Sequence, residues 1–227
     1  PQKAGVAHAD LFAGLHGVIA IQAALWQRER SGRGQHIDIA LLDCQVAMLA
    51  NQAMNYFVGG EVPRRMGNAH PNIVPYQAFA AADGWLMLAV GNDAQFARLC
   101  AVLERPQWAQ APAWRDNAGR VRDRARLVPQ LAQAIAAWPR AALLAALEAQ
   151  GVPAGPINDL AEVFADPQVR HRGLRLDLPA PGLAGGRVPG LRTPIRFSDA
   201  TLAPARAAPA LGAHTDAVRA ELEAGAP

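Results

Sequence analysis

The sequence predicts a mixed α/β fold in which a larger α/β part carries a smaller α+β domain. Three observations lead there. Helix-length apolar runs flank one period-two segment in residues 1–57, a hairpin signal followed by helical stretches fills 78–165, and short extended pieces broken by Pro and Gly appear after 166. The predicted division is therefore 1–57 as a segment of the large domain, 58–77 as a linker or long functional loop, 78–165 as the small domain, and 166–227 as a return to the large domain with a terminal helix.

Residues 8–30 read as a helix: good helix formers follow Asp10, and Ser31-Gly32 stops the run. The run is apolar on nearly every side, which predicts a buried helix, and Gly14 and Gly17 allow another backbone to approach. After the turn Gly32-Arg33-Gly34-Gln35, residues 36–41 alternate polar and apolar and read as a strand. A helix is expected over 43–57, with Val46, Leu49, Ala50, Ala53 and Phe57 on one face. Three Pro and three Gly punctuate 58–76 and mark a long loop. Residues 76–80 and 85–90 flank Ala82-Asp83-Gly84, a hairpin signature.

Helices follow at 93–104, 126–138 and 140–150, the last stopped by Gly151 with Pro153 behind it. Residues 152–157 read as extended, Asp159 and Asp166 as caps of two short helices, 174–198 as short strands, 201–209 as an Ala/Pro loop, and 212–222 as a helix.

Composition narrows the function classes. The 227 residues are 51% hydrophobic and 18% charged, as in a globular chain able to bury a core. The net charge is +3, the arginines are scattered near acidic residues, and no basic run is interleaved with aromatics, so a nucleic-acid surface is not expected. Cys44 and Cys100 lie in apolar helical stretches without metal-ligand spacing, which reads as two reduced, buried thiols of a cytoplasmic protein with no metal. The longest apolar run, 11–26, is shorter than the roughly 20 residues of a membrane span, and Pro1-Gln2-Lys3 leads into no signal sequence. The missing initiator Met predicts that Pro1 is not the natural start.

The chemistry-bearing residues form an ordered set. His8-Ala9-Asp10-Leu11-Phe12-Ala13-Gly14, Ala23-Ala24-Leu25-Trp26-Gln27-Arg28 and Ser31-Gly32-Arg33-Gly34-Gln35-His36-Ile37-Asp38-Ile39-Ala40-Leu41-Leu42-Asp43 come first. Arg65-Met66-Gly67-Asn68-Ala69-His70-Pro71, Pro75-Tyr76-Gln77-Ala78-Phe79, Asp83-Gly84-Trp85 and Gly91-Asn92-Asp93-Ala94-Gln95-Phe96 follow. Gly151-Val152-Pro153-Ala154-Gly155-Pro156, Asp166-Pro167-Gln168 and Leu211-Gly212-Ala213-His214-Thr215-Asp216 complete the series. In this order the blocks resemble the class III CoA-transferases, the CaiB/BaiF or formyl-CoA transferase family, over nearly all of the chain.

The resemblance implies a Rossmann-like large domain and an interlocked homodimer. It also implies that an N-terminal half supplying much of the CoA site is absent from this sequence. It places Asp10 at the family's catalytic aspartate. By itself an Asp ahead of an apolar helical run is an ordinary N-cap. A carboxylate suits the chemistry because it attacks an acyl-CoA thioester to give a mixed anhydride, then an aspartyl-CoA thioester that an acceptor acid attacks. The thioester energy is thereby conserved. The implied substrates are acyl-CoA and carboxylic acids, with CoA a substrate and no prosthetic group.

Residues 67–75 occupy the position of a flexible active-site loop, glycine-rich in formyl-CoA transferases but here Gly67-Asn68-Ala69-His70-Pro71-Asn72-Ile73-Val74-Pro75. Gly67, Asn68, His70 and Tyr76 are the substrate-loop candidates, each with a structural reading beside the functional one. Arg64 and Arg65 suit CoA phosphates or a solvated loop equally. His16 lies six residues from Asp10, off its helical face, so no dyad is expected. Two alternatives stay open. An α-methylacyl-CoA racemase keeps an aspartate where Asp10 lies, although Asp93-Ala94-Gln95-Phe96-Ala97 is more like the transferases. An inactive fragment serving only in dimerisation is the other.

Overall fold

In the computed structural model, residues 4–200, 202 and 205–225 are described. The expectations at Pro1-Gln2-Lys3 and at 201, 203 and 204 lie outside them. The chain divides into two compact units, Pro1–Gly67 and Asn68–Pro227.

The first unit is helical: α1 (His8–Ser31), α2 (Leu41–Ala47) and α3 (Ala50–Gly59). Gly32 ends α1 in the left-handed region at φ 71°, which favours glycine, and its N–H closes on the Arg28 carbonyl at 2.8 Å. Residues 33–40 then run back beside α1. Gln35 Nε2 donates to Gln27 Oε1 at 2.8 Å, and Ile39 Cδ1 lies 3.9 Å from where a Cβ on Gly17 would sit.

This unit corrects three expectations. Residues 36–40 are not a strand, because among the described residues nothing pairs with them, and Leu41 already opens α2. The helix expected over 43–57 is two helices, parted at Met48-Leu49, with Ala50 at φ 45°. Nor is α1 buried: Leu11, Leu15, Ile19 and Trp26 are 57%, 61%, 65% and 66% exposed, and Cys44 is the sole buried residue of the unit among those described. Two short helices cannot cover a rod that is apolar all round. At 24 residues, α1 is also long and apolar enough, by length and composition, to cross a membrane, whereas the 11–26 run alone had fallen short.

The second unit carries the core. A three-stranded antiparallel sheet in the order β1 (Tyr76–Ala81), β2 (Gly84–Ala89), β3 (Ala154–Ile157) is paired in register from Tyr76 with Ala89 and from Trp85 with Ile157. The helices α4 (Asp93–Val102), α5 (Gln107–Gln110), α6 (Asn117–Arg122), α7 (Arg124–Ala136) and α8 (Arg140–Ala149) belong with it. Leu86 and Leu88 alternate inward from β2 onto Leu99, Leu127, Leu131, Leu143 and Leu147, all essentially inaccessible to water. Asn92 and Asp116 cap α4 and α6, accepting from Gln95 N and Gly119 N at 2.9 and 2.7 Å.

Beyond the core, α9 (Leu160–Ala165) starts with a capping box of Asp159 and Glu162, and α10 (Pro167–His171) with the expected Asp166 cap. Arg140 and the Asp159 N–H hold the Glu162 carboxyl below its usual range. The hairpin β4 (Arg175–Pro179), β5 (Arg187–Leu191) and the helix α11 (Thr215–Glu223) complete the mixed α/β fold, whose sheets among the described residues are both antiparallel.

Candidate active site

Asp10 lies one step further into its helix than an N-cap. Ala7 occupies the cap position without a side-chain bond, so Asp10 is the third residue of α1. There a carboxylate is favoured by the helix dipole. It is exposed, and among the described residues it accepts no hydrogen bond. His16 does not approach it as a partner: His16 Nδ1 meets the Phe12 carbonyl at 2.9 Å, and its ring packs 5.8 Å from that of Phe12. Gly67, at φ 63°, closes the first unit, while Asn68, His70 and Tyr76 belong to the second.

The structure brings those last three together. Asn68 Oδ1 accepts from Ala78 N at 3.1 Å, so Asn68 ties the loop to β1. The His70 N–H donates to the Tyr76 carbonyl at 2.9 Å. The His70 ring lies flat against the Tyr76 ring, with centroids 5.3 Å apart and 19° between planes. His70 Nδ1 accepts from the Asn72 N–H at 3.1 Å.

Sequence reasoning singled out the loop but missed what holds it. Three side chains from 117–124 reach its backbone. Asn117 receives the Val74 N–H at 3.1 Å and donates to the Asn72 carbonyl at 2.8 Å. Arg124 donates to the Pro71 carbonyl at 2.6 Å and the His70 carbonyl at 3.3 Å. Arg120, fully buried, donates through Nε to the Val74 carbonyl at 2.7 Å, through Nη1 to the Trp114 carbonyl at 3.0 Å, and through Nη2 to Asp93 Oδ1 at 2.8 Å. Its guanidinium sits 4.5 Å from the Phe96 ring centre. The loop is thus strapped to the core from residue 70 to residue 74. Burial lowers the Arg124 pKa from its usual value. Arg64 and Arg65 are exposed and enter no ion pair among the described residues.

With this geometry in place, likeness to known proteins gives it a context. The family model described as CoA-transferase family III matches residues 1–215. A succinate–glutarate CoA-transferase of Agrobacterium fabrum is 52% identical over 98% of this chain and 55% of its own length. The human succinyl-CoA:glutarate CoA-transferase is 39% identical over 98% of this chain and 50% of its own. The crystal structure of a CaiB/BaiF family protein from Brucella suis superposes with a TM-score of 0.78 at 53% identity, covering 98% of this chain and 57% of that one. The chain spans about half the length of the curated relatives it matches. By the match across its first 215 residues, this chain belongs to CoA-transferase family III.

Proposed function

We propose that the protein moves CoA between two dicarboxylic acids, one donated as succinyl-CoA and the other of the glutarate kind, with Asp10 as the nucleophile. The observation that carries this reading is the 52% identity, across 98% of the chain, with a protein named for succinate and glutarate. Asp10 supports it physically: its carboxylate is exposed in the first turn of α1, open to a thioester.

The Asp10 carboxylate attacks the succinyl-CoA carbonyl and expels the CoA thiolate, leaving a mixed anhydride. The thiolate attacks the aspartyl carbonyl of that anhydride, releasing succinate and forming aspartyl-CoA. The acceptor carboxylate displaces the thiolate again, and attack on the acceptor's own carbonyl yields the new acyl-CoA and frees Asp10. Every step exchanges a carboxylate and a thiolate, so no metal or prosthetic group is required. Gly67, Asn68, His70 and Tyr76 are the substrate-loop residues in this reading. Residues 1–57 and 166–227 belong to the large domain, and 78–165 forms the small one. The protein works as a cytoplasmic homodimer, and the apolar flanks of α1 meet protein rather than lipid.

The test uses the protein expressed from its complete reading frame, incubated with succinyl-CoA and hydroxylamine and mapped by mass spectrometry. A hydroxamate on the Asp10 peptide is expected. Asp10→Asn is expected to lose the hydroxamate and to slow transfer by about a thousandfold or more. No adduct with any donor, together with exchange of the substrate's α-proton in deuterated water, overturns transfer in favour of racemisation.

A further inference from the structure

A fully buried guanidinium is costly unless each of its edges is paired, and a connecting loop ordinarily leaves its backbone to water. Here the two facts meet. Arg120 is buried with three partners, one of them the Val74 carbonyl. Asn117 and Arg124 take the carbonyls of His70, Pro71 and Asn72 and the Val74 N–H. The carbonyls of His70, Pro71, Asn72 and Val74 and the Val74 N–H are thereby all taken by side chains from 117–124.

The one imidazole on this fixed backbone is held in turn. Tyr76 stacks on it, and the Asn72 N–H points at its Nδ1. A neutral imidazole that accepts at Nδ1 carries its proton on Nε2. Among the described residues Nε2 has no partner of its own.

We propose that Arg120 and Arg124 are positioning residues that hold His70 as a neutral Nε2–H donor for an oxygen of the acyl-CoA or acid substrate. This rests on the reading of 67–75 as the substrate loop. His70 is the group that touches substrate, and the two arginines act only through it.

The experiment is a double-mutant cycle in the protein from its complete reading frame, with a spectroscopic arm independent of turnover. His70→Ala is expected to lower kcat/KM about tenfold, the worth of one substrate hydrogen bond. Arg124→Gln is expected to cause a similar loss, and the double variant no more than the larger single loss. Arg120→Lys, which keeps the cation but not the three-way fork, should follow the same pattern if it folds, and Arg124→Gln serves if it does not. In long-range 15N–1H spectra at neutral pH the parent His70 should show the Nε2–H tautomer, and Arg124→Gln a mixture. Losses that multiply in the double variant, His70→Ala at the parent's rate, or an Nδ1–H tautomer in the parent each overturn the proposal. A parent that transfers no CoA sinks the transferase reading instead, and the tautomer then decides the positioning claim alone.

Discussion

Cys100 is fully buried on α4, and loss of water around it pushes its thiol from 9.0 up to about 12, only partly offset by the Arg120 cation. The neutral thiol therefore persists throughout the ordinary pH range, and the expected outcome is that iodoacetamide labels Cys100 only after denaturant is added. Linkage follows with a definite sign. The unfolded thiol releases its proton near 9.0 while the folded one holds it to about 12, so this contribution to stability is complete below pH 9 and is lost as pH rises towards 12. Melting at pH 8 and pH 10 with labelling at each checks both halves. The burial of Cys44 and Cys100 was legible from their apolar neighbours. The burial of Arg120 was not: it is one arginine among many in the sequence, and only the meeting of Val74, Trp114, Asp93 and Phe96 around it sets it apart. Likewise Asp10, His70 and Tyr76 were legible as candidates by resemblance, whereas the His70–Tyr76 stack depends on how the loop folds back onto β1.

At the scale of elements, α6 is short but connects cap, core and loop. A Cβ on Gly119 would lie 2.4 Å from the Ala113 carbonyl oxygen, which is backbone and cannot swing aside. Gly119→Ala is therefore expected to destabilise the protein by about 1–3 kcal/mol through overpacking. It should also disturb the loop, because α6 carries both Asn117 and Arg120. Chemical denaturation gives the first effect, and the His70 tautomer spectrum the second. Elements with local chemistry of their own were legible: the hairpin from Asp83-Gly84, the caps at Asp159 and Asp166, and the stop at Gly151. The short helices α5 and α6 were not, since six residues or fewer give no helical repeat to read. The alternation at 36–41 misled for the opposite reason. Period two describes an extended chain, but a strand also needs a neighbour to pair with.

At the scale of the molecule, the two units differ in what holds them. The second has a continuous core from Val74 to Val152, built from both sheet and helices. The first buries only Cys44 among its described residues and leaves Leu11, Leu15, Ile19, Trp26 and Phe57 exposed. Hydrophobic burial is the dominant favourable term in folding, so the second unit should stand alone and the first should not. Trypsin offers the test, since Arg64 and Arg65 are exposed ahead of Gly67. Brief digestion of this chain is expected to cut there and leave a resistant fragment beginning near Met66. That fragment should keep its near-ultraviolet signal from Trp108 and Trp114, which meet edge to face at 6.1 Å, and should melt cooperatively. The released N-terminal piece should show no cooperative transition, because helices in proteins draw most of their stability from tertiary packing and this piece buries only Cys44 among its described residues. A fragment that loses its tryptophan signal on cleavage would mean that the core from 74 to 152 depends on the helices before it. In the protein from the complete reading frame, resistance of Arg64 and Arg65 to the same digestion would show that added chain or a partner covers this region, as an α1 apolar on every side requires.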